Sequence, residues 1–178
     1  MKKVKILDKE FKMAIPSASI KRAIDQVATQ INNDYFEEEI LFLSILNGSF
    51  MFASDLVKRI KPLCQLSFVK LSSYDGTSST GTFKELIGLN EDIKGRKVIV
   101  LEDIVDTGAT IETVLKQLKA LKPSSLKVAT LLFKPQSYLK NLKIDYVGIE
   151  IPEDFLIGYG LDYNGYGRNF EDIYSLIK

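Results

Sequence analysis

Histidine is absent from all 178 residues. That removes Ser-His and Cys-His nucleophilic machinery and His-ligated zinc, and leaves acid–base chemistry to carboxylates, Lys, Tyr or the backbone. Cysteine occurs once, at Cys64, which rules out an internal disulfide framework and any multi-cysteine metal site. No apolar run reaches the ~18–20 residues of a membrane span. The start, Met1-Lys2-Lys3-Val4-Lys5-Ile6, is basic, but no apolar stretch or small-residue cleavage site follows it. The expectation is a cytoplasmic protein with one reduced thiol. An excess of charge is missing too. The 24 Lys and Arg against 23 Asp and Glu leave a net charge of +1, which argues against broad binding to nucleic acid or an anionic membrane.

What is present is an ordinary globular composition, 46% hydrophobic and 26% charged, in a chain the length of one domain. Strand-like and helix-like segments alternate. Ile20, Ala23, Ile24, Val27 and Ile31 share one helical face, with Pro16-Ser17 as a start signal. The near-continuous apolar run Ile40-Leu41-Phe42-Leu43-Ser44-Ile45-Leu46 suits a strand covered on both faces. Asn47-Gly48-Ser49 breaks it. Phe52, Leu56, Val57 and Ile60 then resume helical spacing before Pro62. Strands are also expected at 66–71, 98–101, 126–133 and 146–149, and a helix through Ile111, Val114, Leu115, Leu118 and Leu121. Residues 72–82, rich in Ser, Thr and Gly, read as a loop. The aromatic, Gly-rich stretch 152–178 reads as a small lobe. The fold class implied is α/β, a twisted and mostly parallel sheet flanked by helices, with ligands bound beyond the carboxyl ends of the strands.

Chemistry concentrates in Val98-Ile99-Val100-Leu101-Glu102-Asp103-Ile104-Val105-Asp106-Thr107-Gly108-Ala109-Thr110. A buried strand feeds two adjacent acids. Asp-Thr-Gly-Ala-Thr follows three residues later, and then a helix begins. Gly108 allows close backbone approach, the helix start favours an anion, and Thr107 and Thr110 add hydroxyl donors. Such a loop suits a phosphate monoester. The carboxylates of Glu102 and Asp103 accept hydrogen bonds, so they suit a vicinal diol and can also help to place Mg²⁺. Together these describe a ribose 5-phosphate site.

This string resembles the phosphoribosyl diphosphate signature of type I phosphoribosyltransferases. Leu46-Asn47-Gly48-Ser49, Leu71-Ser72-Ser73-Tyr74, Leu132-Phe133-Lys134, Val147-Gly148-Ile149-Glu150-Ile151-Pro152, Phe155-Leu156-Ile157-Gly158-Tyr159 and Leu161-Asp162-Tyr163-Asn164 occur in the order seen in hypoxanthine-guanine phosphoribosyltransferases. The resemblance implies a purine salvage enzyme. It would transfer the 5-phosphoribosyl group of phosphoribosyl diphosphate to N9 of hypoxanthine or guanine, with Mg²⁺ as cofactor. The division it implies is a single domain over 1–178, with a core near 38–150 and a hood from 151–178 plus part of the N-terminus. A homodimer or homotetramer in the cytoplasm is the expected form.

The resemblance also assigns roles. Asp106 is the catalytic proton acceptor near purine N7. Thr107, Gly108, Ala109 and Thr110 hold the 5′-phosphate, and Glu102 and Asp103 the ribose diol. Lys134 donates to the purine O6, Phe155 stacks on the base, and Leu156 offers its backbone to the base edge. Glu102, Asp103 and Asp162 are the metal candidates. Arg168 reaches pyrophosphate, as does Gly48 through its backbone, and Ser73 and Tyr74 sit in a closing lid. Two departures are visible. Asn47-Gly48 stands where the family often has Lys-Gly, at a loop that often carries a cis peptide, and Gly165-Tyr166-Gly167 loosens the approach to Arg168. Two other readings remain open at this point: a regulator that senses phosphoribosyl diphosphate and binds nucleic acid, and a transferase that prefers xanthine.

Overall fold

The structure is a computed structural model that describes residues 2–74 and 83–177. The chain opens with a hairpin, β1 (Lys3–Ile6) and β2 (Lys9–Ile15), followed by α1 (Ser17–Asp34), β3 (Ile40–Ile45), α2 (Phe50–Val57) and β4 (Cys64–Tyr74). Then come β5 (Phe83–Ile87), β6 (Lys97–Val105), α3 (Ala109–Ala120), β7 (Ser125–Phe133), β8 (Tyr146–Glu150), β9 (Leu156–Ile157) and β10 (Ile173–Leu176).

The apolar runs form the middle of a six-stranded sheet in the order β5-β4-β3-β6-β7-β8. All of its pairings are parallel except β4 with β5. Because successive strand residues face opposite ways, a strand covered on both sides must be apolar throughout. In β3, Ile40 and Phe42 join the core under α1 and α2, while Leu41, Leu43 and Ile45 join the core under α3. Burying each such side chain contributes about 1.5–3 kcal/mol. Helix α1 begins after Pro16, whose extended backbone (φ −72°, ψ 149°) marks the entry, and buries Ile20, Ala23, Ile24, Val27, Ala28 and Ile31 at helical spacing. It precedes position 38 in the chain and packs on this larger sheet.

Three sequence expectations need correction. Helix α2 ends at Val57 rather than continuing to Ile60. Bonds from Arg59 N to Leu56 O and from Ile60 N to Val57 O tighten the last turn ahead of Pro62. Residues 72–74, expected in a loop, are the end of β4, with Ser73 opposite Lys84 and Tyr74 opposite Phe83 of β5. The remainder of that expected lid, 75–82, lies outside the described residues. Strand β6 does not stop at Leu101 but continues to Val105, because β7 keeps pairing with it: Glu102 lies opposite Thr130, Ile104 opposite Leu132 and Val105 opposite Phe133.

A smaller antiparallel sheet, β1-β2-β10-β9, joins the two ends of the chain. Ile6, Phe11, Ile157 and Tyr174 form its core. Leu156, Tyr159, Leu161 and Ile173 from the same region belong to the core cluster that contains α1 and α2, so this hood sits on the larger sheet. No helix among the described residues is long and apolar enough to cross a membrane.

The topology fixes where a ligand fits. From β3 the chain crosses by α2 to β4 on one side; from β6 it crosses by α3 to β7 on the other, over the opposite face. The strand order therefore reverses between β3 and β6, and the crevice at their carboxyl ends is the position open α/β sheets offer to ligands. β3 last pairs with β6 at Ser44 opposite Leu101, so the sheet parts just where Glu102 begins.

Candidate active site

At this switch point lies a cleft of about 330 Å³. Ile45, Leu46, Asn47 and Gly48 line it from the β3 side, Glu102 and Asp103 from β6, Thr110 from α3, Leu71 from β4, and Asp162 and Arg168 from the hood. A second hollow of about 250 Å³ is lined by Ile104 to Ile111 and shares Glu102 and Thr110 with the first. The two are neighbours along one groove. A roomier hollow of about 490 Å³ lies near Phe36 and Leu63, ahead of β3 and β4 and so at the far ends of the strands; the buried acids of β6 are not among its lining residues.

The β3 turn enters the groove through a cis Leu46–Asn47 peptide. Ser49 fastens it: its hydroxyl lies 2.7 Å from that of Ser44 and donates to Ile45 O. Gly48 then passes directly over the Asp103 carboxylate. A Cβ on residue 48 would fall inside that carboxylate, so no larger residue fits with Asp103 as it stands. Gly160 of the hood closes on the other side. Its φ of +97° is open to glycine, and a Cβ there would strike Gly48 O.

Electrostatically the cleft holds two buried carboxyl groups whose charged forms burial disfavours. Glu102 is 8% exposed; burial, with the neighbouring Asp103 charge, pushes its carboxyl well above the usual range. Its Oε2 has no hydrogen-bond partner among the described residues. Burial raises Asp103 to about 6, opposed by the backbone N–H of Ile104, which donates to Oδ1 at 2.9 Å, and by the Arg168 charge. Among the described residues neither acid has a hydrogen-bonded cationic or hydroxyl partner of the kind that buried carboxylates ordinarily have. Hydroxyls or a hard cation would satisfy them.

Beyond Val105 the chain leaves the sheet. Gly108 is the N-cap of α3 at φ +82°, with no side-chain cap bond. Asp106 therefore does not cap the helix. It accepts a hydrogen bond from Lys134 Nζ at 2.7 Å, the lysine side chain 11% exposed and the aspartate 45%. The lysine is brought there by the sheet, since Lys134 N donates to Val105 O at 3.0 Å where β7 ends beside β6. Tyr138 braces the loop from behind: its ring is what a side chain at 108 would meet. It packs edge-on against Phe133 at 5.2 Å, and its hydroxyl donates to Leu142 O.

In the hood, Arg168 donates to Asp162 Oδ1 at 2.7 Å and to Gly160 O at 2.6 Å, while Gly165 N donates to Asp162 Oδ2 at 2.6 Å. Phe155 is 46% exposed rather than core-packed. It meets Phe11 at 6.3 Å and Tyr163 edge-on at 6.0 Å, and Lys9 Nζ lies 5.8 Å from its ring centroid. Leu156 is buried in β9.

Of the residues singled out from sequence, Gly48, Glu102, Asp103, Thr110, Asp162 and Arg168 meet in the first cleft. Asp106, Thr107, Gly108 and Ala109 meet in the second with Glu102 and Thr110, and Lys134 reaches Asp106. Ser73 and Tyr74 stand at the end of β4, and Phe155 lines neither hollow. Among the described residues no group of three acids could hold a metal by itself, so Glu102, Asp103 and Asp162 are cleft walls and not a closed cage. Tyr138 behind Gly108, Lys9 beside Phe155 and Gly160 against Gly48 were not legible beforehand. The positive φ run Gly158-Tyr159-Gly160, a tyrosine between two glycines, was the one local signal for the last of these.

A family model for the phosphoribosyl transferase domain matches residues 16–164. A hypoxanthine-guanine phosphoribosyltransferase of Aquifex aeolicus (strain VF5) is 36% identical over 173 residues, covering 96% of this chain and 97% of its own. The hypoxanthine phosphoribosyltransferase of Escherichia coli (strain K12) is 38% identical over 152 residues, covering 84% and 85%. Among solved structures, a hypoxanthine-guanine phosphoribosyltransferase from Bacillus anthracis with HEPES in its active site superposes with a TM-score of 0.86. It is 35% identical and covers 93% of this chain and 98% of its own.

Proposed function

The chain belongs to the phosphoribosyltransferase family, and from that premise we propose that it transfers the 5-phosphoribosyl group of phosphoribosyl diphosphate to N9 of hypoxanthine or guanine in purine salvage. The observation that carries the choice of base is the Lys134–Asp106 pair. A 6-oxopurine in its N7–H form presents a donor and an acceptor side by side, N7–H and C6=O. A carboxylate and an ammonium 2.7 Å apart present the complement. Adenine carries an amino group at position 6, which would face the lysine donor with another donor.

In the reaction the bond from ribose C1 to pyrophosphate breaks and the bond from N9 to C1 forms. Asp106 takes the N7 proton as the N9 lone pair attacks, and pyrophosphate leaves with the electron pair of the broken bond. Lys134 polarises O6 and neutralises Asp106 until the proton arrives. Thr107, Gly108, Ala109 and Thr110, at the start of α3, hold the 5′-phosphate with backbone N–H groups and hydroxyls. Glu102 and Asp103 accept from the ribose hydroxyls. Gly48 and Arg168 face the pyrophosphate, the arginine taking the part that a lysine at position 47 would otherwise share. The exposed face of Phe155 is free to stack on the base, with Leu156 beside it. Ser73 and Tyr74, at the root of residues 75–82, are assigned to closure over the reacting sugar.

The cleft fits Mg²⁺ as a partner of the substrate. Its donors are hard carboxylate oxygens, one of them buried and unpaired, and no cage excludes the waters and phosphate oxygens that this ion keeps. Asp103, Glu102 and Asp162 would hold it, and when bound it would neutralise charge developing on the leaving pyrophosphate. We place the enzyme in the cytoplasm as a homodimer or homotetramer.

The test is a pyrophosphate-release assay with phosphoribosyl diphosphate, Mg²⁺ and each of hypoxanthine, guanine, xanthine and adenine. Turnover with hypoxanthine or guanine and none with adenine is expected. Turnover with xanthine alone would redirect the assignment, and silence with all four would end it.

A further inference from the structure

A hydrogen bond far from the reacting atoms ties the hood to the helix behind the β3 turn. Tyr159 Oη donates to Asp55 Oδ2 on α2 at 2.5 Å across 104 positions of sequence. Tyr159 is 4% exposed, and burial followed by the Asp55 contact drives its phenol well above the usual range. Burial works to raise Asp55, but the donors Lys58 and Tyr159 outweigh it and hold the carboxyl below its usual range. The bond is therefore a charge-assisted one between a neutral phenol and an ionised acid.

What the bond holds is the backbone on either side. Tyr159 stands between Gly158 (φ +96°) and Gly160 (φ +97°). Gly160 abuts Gly48, and Gly160 O and N bond to Arg168 Nη1 (2.6 Å) and Arg168 O (3.0 Å). Helix α2 thus fixes both walls of the cleft. Ser49 at its start fastens the Gly48 turn, and Asp55, six residues on, fastens the hood turn that leans on Gly48 and carries Arg168.

We infer that Asp55 and Tyr159 are positioning residues for phosphoribosyl diphosphate, holding the Gly160 turn against Gly48 so that Arg168 faces the pyrophosphate. This rests on the function proposed above. Neither residue touches substrate, and the base subsite at Asp106 and Lys134 is built on β6 and β7 without them.

The two subsites therefore respond separately. KM for phosphoribosyl diphosphate and for hypoxanthine is to be measured for the wild type, Tyr159→Phe, Asp55→Ala, Asp55→Asn and the Tyr159→Phe/Asp55→Ala double variant. Tyr159→Phe and Asp55→Ala raise KM for phosphoribosyl diphosphate about fivefold, the size expected for one lost hydrogen bond, while KM for hypoxanthine stays within about twofold. Asp55→Asn keeps an acceptor for the phenol and stays near wild type. The double variant is no worse than either single one, because both remove the same bond. An unchanged KM for phosphoribosyl diphosphate in Tyr159→Phe, or an equal rise in both constants, overturns the inference, as does an Asp55→Asn defect equal to that of Asp55→Ala. A wild type that releases no pyrophosphate with any purine overturns the function itself and this inference with it.

Discussion

Lys134 donates to Asp106 at 2.7 Å from the end of β7, and the lysine is the more buried member of the pair. The acid proposed to move the proton and the cation proposed to choose the base are thus one unit. Their separation in sequence is 28 residues, and only the parallel pairing of β6 with β7 brings them together.

Replacing Asp106 with Asn keeps an acceptor for Lys134 but cannot take a proton. Turnover with hypoxanthine should fall about a hundredfold or more, within the range general bases supply, with KM for phosphoribosyl diphosphate little changed. Steady-state kinetics at saturating hypoxanthine checks this; retention of near-wild-type kcat would remove the residue from its role.

Lys134→Ala deletes the O6 donor and leaves Asp106 without its cation. Because the aspartate is 45% exposed, water can take over, and the loss of stability should be below about 1 kcal/mol. The functional loss should be larger: KM for hypoxanthine and guanine should rise at least tenfold, and discrimination against adenine should shrink. Parallel KM determinations for the three bases decide it, and an unaltered ratio between oxopurines and adenine speaks against the contact.

Asp103 makes stability depend on pH. Burial raises it from 3.8 to about 6, so between those values the native chain holds a proton that the unfolded chain has released. The stabilising contribution is complete below about pH 4 and is lost as pH rises through 6. Two units correspond to roughly 3 kcal/mol. Glu102 shifts in the same direction. Asp34, Asp55 and Asp172 are lowered and act oppositely, but below pH 3.8. Asp103→Asn should therefore be more stable than wild type near pH 7.5, by about 2–3 kcal/mol, with the gap closing toward pH 4. Urea unfolding across that range is the measurement, and a gap that does not vary with pH contradicts the assignment.

Gly48→Ala places a methyl group inside the Asp103 carboxylate. The turn or the acid must shift, at a cost of about 1–3 kcal/mol. Thermal unfolding should show that loss, and calorimetric titration with phosphoribosyl diphosphate and Mg²⁺ should show binding weakened more than tenfold. Wild-type affinity in this variant would mean that the turn does not face the pyrophosphate.

The fold was most legible where burial writes itself into local pattern. The near-continuous apolar runs of β3 and β6 announced strands covered on both faces, and Ile20 to Ile31 repeated at helical spacing along α1. The hairpin of β1 and β2 was not read, because its residues alternate among lysines and gain apolar cover only from residues such as Ile157, Tyr163, Phe170 and Tyr174, about 150 positions later. The site divides the same way. Residues 102–110 form one strand, turn and helix start, so their chemistry is contiguous in the chain. The pairings of Gly48 with Asp103, of Gly48 with Gly160 and of Asp55 with Tyr159 depend on topology, and no short window of sequence contains both members.

The hood sheet places β10 between β2 and β9, so the last strand of the chain bridges its first segments to the stretch that bears Phe155. During synthesis, every residue proposed to hold the sugar phosphate leaves the ribosome before the strand that pairs beside the proposed base platform. A polypeptide halted before Ile173 would carry the Lys134–Asp106 pair but lack the strand on which Leu156 and Ile157 pair. The pairing of Leu156 with Ser175 therefore comes only once Ile173–Leu176 is made, and changes to that strand bear on the face proposed to stack on the base rather than on the Lys134–Asp106 pair.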